Sequence, residues 1–453
     1  MLKVMRTIRR LPAAVAVQTV CAALMLHSGG AAAISLTQAY EAALQNDPTY
    51  RGAVFENEAG KEYTTIGRSG LLPNLSASYT RSKNRADIES PDILGRTTLK
   101  QPVYNSKAAT VQLRQTVFNL DALARYKQGI AQSASSAAQF DTRGQELVMR
   151  VAGAYIDALY AAEQLRLANA QRDTYIEQRK VNDRLFKGGE GTRTDMIETQ
   201  ARLDVAEAQV IESADNEATA RTALSALVGS EVTSLDQLGP QFRIAPLPEG
   251  GFEAWKKIAL ANNPELQARV YSVEAARQEI NKARAGHAPR LDFIASYSKN
   301  DAETINTYNQ VSTVRAIGFQ VTVPLYQGGY VSAVSRQTVA GYEKAKTDLQ
   351  AQTDKVLIDL RKQYNAVLSG VARMAALEKS VASGKLLMTA TEQSIKGGVR
   401  INLDLLNAQQ QLYVSERDQS QARYNYLLAL LRLRAAAGTL SPDDVREVSN
   451  YFH

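Results

Sequence analysis

One phrase occurs twice in this chain. Residues 187–203 read KGGEGTRTDMIETQARL, and residues 396–412 read KGGVRINLDLLNAQQQL. Each places an Asp eight residues after the Lys, then Gln and Leu in step. The repetition continues upstream. SLTQAYEAALQNDP (35–48) matches GFEAWKKIALANNP (251–264), and LLPNLSASYTRSKN (71–84) matches HAPRLDFIASYSKN (287–300). The chain is therefore an internal duplication, and each half reads helix, strand, strand, long helix, turn, helix.

Proline shows where the long helices lie. No proline falls between Pro102 and Pro240, and none between Pro324 and Pro442. Proline breaks helix interiors, so two such stretches, rich in Ala, Gln, Leu, Arg and Glu, predict long helices. In the first, small and apolar residues recur in steps of four and three: Ala137, Gly144, Val148, Val151, Tyr155, Ala158, Ala162 and Leu165. A second row, Leu147, Ala154, Ala161, Ala168 and Tyr175, repeats every seven. Two neighbouring stripes predict a helix with neighbours on two sides. A helix over about 121–186 is roughly 100 Å long at 1.5 Å per residue. The Gly-Gly pairs then predict hairpin turns, with Thr194 and Asn402 as N-caps of the returning helices and Asp195 and Asp404 in their first turns.

Between these helices the period changes to two. Leu75, Ala77 and Tyr79 alternate with polar residues, as do Val111, Leu113 and Val117. So do Leu291, Phe293, Ala295 and Tyr297, and then Ile317, Phe319, Val321, Val323 and Leu325. Alternation alone suits a soluble sheet or an outer-membrane strand equally. The N-terminus favours the membrane. Lys3, Arg6, Arg9 and Arg10 precede a short apolar run and the small-residue exit HSGGAAA, the pattern of a secretory signal peptide over 1–33. Cys21 lies within the apolar run, and the residues before it fit a lipoprotein site poorly. No later stretch reaches about 18 apolar residues. Four strands cannot close a water-filled barrel, and a lipid-facing sheet cannot leave its edges unpaired, so several chains must contribute.

Composition narrows the chemistry. The chain carries a net +7, and cleavage of the leader removes four cations and no acid, leaving no dense basic stripe for nucleic acid. Cleavage also removes the one cysteine and one of the three histidines, leaving His287 and His453. This disfavours thiolate or zinc sites and Ser-His or Cys-His nucleophiles, and an enzyme and a cofactor are not expected. No Gly-x-x-x-x-Gly-Lys-Ser/Thr motif is present, so energy must come from a partner.

The repeated layout, the NDP sequence, the G-x-R…D-x-x-x-A-Q tip and the end ARYNYLLALLRLRAAAGTL (422–440) resemble the TolC family of outer-membrane export channels. The likeness spans essentially the whole mature chain. It implies an α+β membrane protein, a trimer whose twelve strands form an outer-membrane β-barrel and whose twelve helices extend it as a periplasmic α-barrel. It divides the chain into a first repeat (34–240), a linker (241–251), a second repeat (252–440) and a short C-terminal segment (441–453). By the same resemblance the tips close the periplasmic end. Asp404 matches the first of two constriction aspartates; the second falls at Asn407, an amide, and Asp195 and Glu198 add acid to the rim. Arg400 and Asp195, with Thr194 beside them, match a closed-state latch whose tyrosine is replaced by Ile395. Lys187, Gly188, Gly189, Lys396, Gly397 and Gly398 form the tips that meet a periplasmic adaptor and an inner-membrane ABC exporter or proton-driven pump. The expected function is type I protein secretion with an ABC exporter and an adaptor; small-molecule efflux is the alternative, and a periplasmic coiled-coil adaptor or structural protein without a pore is the reading of a different class.

Overall fold

Proline and its capping partners set the element boundaries. The computed structural model describes residues 33–91, 93–239, 242, 250–304 and 307–452. The expected leader up to residue 32, with Cys21 and His27, most of the 241–251 linker, and His453 lie outside the described residues. The first half opens with α1 (Leu36–Asn46) and α2 (Pro48–Ser69). The second opens with α5 (Gly251–Asn262) and α6 (Pro264–Arg284). The sequence reading expected one helix at each place. The repeated NDP and NNP instead break it in two. Asp47 and Asn263 each close one helix and cap the next, accepting from the Tyr50 and Leu266 amides, with proline at the first helical position.

The long helices are α3 (Leu120–Gly188) and α7 (Tyr330–Lys396), returning as α4 (Arg193–Val228) and α8 (Asn402–Ala436). At 69 residues, α3 is about 100 Å long. Of its first expected stripe, Val148, Val151, Tyr155 and Ala158 are buried, whereas Ala137 is exposed. Leu147, Ala161, Ala168 and Tyr175 of the second stripe are also buried. Gly129 brings α3 against α2 backbone to backbone: a Cβ there would meet the Tyr63 carbonyl oxygen at 2.3 Å. A short α9 (Pro442–Ser449) closes the described chain.

Mid-height, α1, α3, α8 and α9 share the main core, around Leu36, Leu147, Tyr155, Leu427, Leu431 and Val448. Tyr155 donates its hydroxyl to the Ile34 carbonyl at 2.9 Å and meets the Phe452 ring edge-on. Burial pushes its phenol far above the ordinary value, with the Asp236 charge adding to the shift.

The strands form one antiparallel sheet in the order β1 (Asn74–Arg85), β4 (Val103–Phe118), β5 (Arg290–Thr304), β6 (Thr307–Thr322). A small hairpin of β2 (Ile88–Pro91) and β3 (Thr97–Lys100), not anticipated from sequence, stands at the β1–β4 turn. Alternation continues in register across all four strands: Leu75 faces Leu113, Leu113 faces Ala295, and Ala295 faces Ile317. The expected run overshoots at two ends. Val117 falls at a register shift between Thr116 and Phe118, and Val323 and Leu325 lie beyond β6. Among the described residues, β1 and β6 each keep an edge without a partner strand. Among the described residues, no helix is long and apolar enough to cross a membrane.

Candidate functional site

The two repeated phrases are the two hairpin tips, and both turn by the same device. Gly189 (φ 85°) and Gly398 (φ 73°) adopt left-handed backbone just past the helix end. Glu190 N–H then reaches back to the Leu185 carbonyl at 2.9 Å, and Val399 N–H to Ser394 at 2.9 Å. The preceding residues, Gly188 and Gly397, keep helical geometry. Only the second glycine of each pair is needed for the turn. Lys187 is held by Asp183 at 2.6 Å, and Lys396 is exposed.

The return starts differ from the sequence expectation. Thr192, not Thr194, caps α4. Its hydroxyl oxygen accepts from Asp195 N–H at 3.1 Å, and the Asp195 carboxylate accepts from Thr192 N–H at 3.1 Å and its hydroxyl at 2.6 Å. Three residues separate cap and acid in this reciprocal box, a spacing that Thr194 and Asp195 cannot meet. Thr194 is exposed within the first turn. Asn402 is not a cap either; Ile401 takes that place without a side-chain bond. The Asn402 side chain is buried in a polar knot. Gln178 donates to its carbonyl at 2.9 Å, and its amide donates to Thr199 Oγ1 at 3.2 Å. Asn182 donates to the same oxygen at 2.7 Å. One hydroxyl thus ties α3, α4 and α8 together.

Asp195, Glu198 and Asp404 are half-buried, and Asn407 is exposed. Asp404 lies in the first turn of α8, where a carboxylate is favoured by the helix dipole. Asn407 has a partner that sequence reasoning missed: Arg202 of α4 donates to its Oδ1 at 3.0 Å. The available signal was spacing, since Arg202 follows Glu198 by four and Asp195 by seven, on one helical face. Above it, Tyr175 packs with Leu203, Ala206 and Leu406, and burial raises its phenol. Arg400 is exposed and makes no ion pair among the described residues, and Asp195 is engaged by Thr192. Among the described residues Arg400 and Asp195 are not bonded to each other. Val399, at 81% exposure, and Ile401, at 63%, add apolar surface beside Ile395 at the second tip.

Comparison with known proteins agrees with this architecture. The model of the family described as outer membrane efflux protein matches residues 39–230 and 255–439. The chain is 41% identical to the alkaline protease secretion protein AprF of Pseudomonas aeruginosa, over 95% of this chain and 89% of that one. It is 38% identical to the proteases secretion protein PrtF of Dickeya chrysanthemi, over 95% and 93%. Its fold is similar to the crystal structure of the outer membrane protein VceC from Vibrio cholerae, with a TM-score of 0.77 at 17% identity, covering 89% of this chain and 96% of that one.

Proposed function

The chain belongs to the outer membrane efflux protein family, and on that premise we propose that it is the outer-membrane exit of a type I protein secretion system. It is an outer-membrane channel with a periplasmic extension. An inner-membrane ABC exporter supplies the energy, and a periplasmic adaptor joins the two. The observation that carries this reading is the likeness, along 95% of the chain, to two protease secretion proteins.

Three copies close the channel. The free edge of β1 in one copy pairs with the free edge of β6 in the next, giving twelve strands and a helical tunnel below them. The apolar face of the sheet meets lipid, so the other face lines the pore. That face carries Ser76, Ser78, Thr110, Gln112, Ser296 and Ser298, small or neutral groups that hold neither sign of charge strongly. This suits a polypeptide bearing both signs. At the far end Asp404, Asp195 and Glu198 form an acidic collar, interrupted by the Arg202–Asn407 pair. Arg400 latches to Asp195 of the adjacent copy, with Thr194 beside it. Lys187, Gly188 and Gly189 with Lys396, Gly397 and Gly398 present the docking surface, and Val399 and Ile401 give it apolar contact. On this reading the chain divides into repeats over 34–240 and 252–440, a linker over 241–251, and a closing segment.

A strain lacking this chain tests the assignment. A substrate protein of the associated ABC exporter should disappear from the medium and return when the chain is supplied. Unchanged secretion, with rising sensitivity to small toxic compounds, would favour efflux instead.

A further inference from the structure

The two faces of the sheet differ in charge as well as in polarity. On β1 the lipid-side positions run Leu75, Ala77 and Tyr79, then Arg81, Lys83 and Arg85. The other strands change over at the same end. On β4 the apolar positions give way to Lys107, on β5 to Lys299 and on β6 to Arg315. The helices attach at the opposite end of the sheet, so these cations stand on the cell-surface side. Lys107 alone has a carboxylate partner among the described residues, Asp301 at 3.3 Å. Arg81, Lys83, Arg85, Lys299 and Arg315 are exposed.

The pore side at this height is neutral. Ser82, Asn84, Ser106, Ser298, Asn300 and Ser312 occupy it, and Ser106 bonds both Ser82, at 2.7 Å, and Asn84, at 2.9 Å. Charged pore-side groups, Arg114 and Asp292 among them, sit at the helical end. Cations could have been hydrated freely in the pore. They stand instead on the lipid side.

Depth identifies what meets them. Lys299 follows Leu291 by eight residues, about 27 Å along the strand and roughly 20 Å along the membrane normal at a tilt of about 40°. That is close to the height of an apolar band of about 25 Å. Tyr79 and Tyr297 mark the upper boundary, with Arg315 lying 5.8 Å over the Tyr297 ring. Tyr326 and Tyr330, both exposed, mark the lower one just past β6. The cations therefore lie at headgroup level in the outer leaflet.

We propose that this basic band binds the phosphate groups of the phosphorylated glycolipid of the outer leaflet, lipopolysaccharide. The proposal rests on the closed-barrel reading above. Arginine matches phosphate with two parallel donors, and lysine adds point charge. Each cation at an anionic surface favours it by about fivefold. Three copies would carry the band around the whole circumference.

The test uses the full-length channel purified in detergent. Bound lipid is measured by native mass spectrometry after incubation with lipopolysaccharide or with the same lipid stripped of its phosphates. The phosphorylated form should be retained at least about tenfold better. A variant combining Arg81→Gln, Lys83→Gln, Lys299→Gln and Arg315→Gln should lose that preference. Adding Ser298→Lys and Ser312→Lys, which restores charge on the pore side, should not recover it. Bilayer conductance of the same preparations reports whether the barrel has assembled, which separates failure of the band from failure of the barrel. Equal retention of both lipids by the unaltered channel would overturn the proposal, whatever the variants do. So would an assembled four-site variant that keeps the preference.

Discussion

At the tip the proposed acidic collar takes its sign from Asp404, and Arg202, bonded to Asn407, would offset it. Asp404→Ala should weaken both cation selectivity and block by multivalent cations from the tip side. Arg202→Gln should move selectivity the other way, toward cations, because it removes an opposing charge. Reversal potentials in a planar bilayer check both, and an unchanged value for Arg202→Gln would place that side chain away from the ion path. The latch needs a separate control, because Asp195 also closes the cap of α4. Arg400→Ser and Asp195→Ala should each raise single-channel conductance, with little added by the double exchange. An exposed pair contributes only about 0–1 kcal/mol, so the effect should shrink at high salt. Thr192→Ala removes the cap and one hydrogen bond to the Asp195 carboxylate but leaves both charges of the pair in place. If it opens the channel as far as Arg400→Ser does, fraying of the helix start and not the latch controls the tip.

Among the elements, what could be read from sequence was what depends on local chemistry. Long proline-free stretches, alternating strands and glycine turns follow from backbone rules within a few residues, and α3 ends within two residues of its expected limit. The broken leading helices were also local, since Asn or Asp before Pro is a cap followed by a first helical residue. The cap at Thr192 was readable too, as a three-residue spacing to Asp195. The knot of Gln178, Asn182, Thr199 and Asn402, and the Arg202–Asn407 contact, were not readable. Asn402 and Asn407 lie about two hundred residues from the partners they meet across the duplication, and join them only once both hairpins are built. The buried Asp47 allows a test at this scale. Burial works to raise its carboxyl, but the Tyr50 amide and the Arg150 guanidinium at 2.9 Å hold it below the usual carboxylate range. A lowered folded-state value means the stabilisation is complete above the ordinary carboxylate pKa and is lost as pH falls through the folded value. Asp47→Asn keeps a capping side chain, as Asn263 does in the second repeat, but removes the charge that meets Arg150, and should cost about 1.5–3 kcal/mol at neutral pH. The difference from the parent should vanish toward acid. Thermal melts across pH 2 to 7 (roughly the carboxylate range) check this, and a gap that persists at the acid end would assign the loss to packing.

For the molecule as a whole, the proposed channel needs more than one chain. Among the described residues the sheet has two open edges, and many of its apolar side chains, such as Ile317 at 80% exposure and Phe319 at 70%, face outward with nothing over them. In the proposed assembly lipid covers the face and further copies pair with the edges. The one cysteine of the sequence, Cys21, lies in the expected leader, so introduced thiols should react alone once that leader is cleaved. The most direct measurement places one cysteine at Ser78 on β1 and a second at each position from 312 to 320 on β6, then oxidises the assembled protein in membranes. Closure by three copies predicts that a narrow set of positions yields a covalent trimer on denaturing gels, with a native mass of three chains in detergent. A covalent product absent at every position, together with a native mass of one chain, would contradict it.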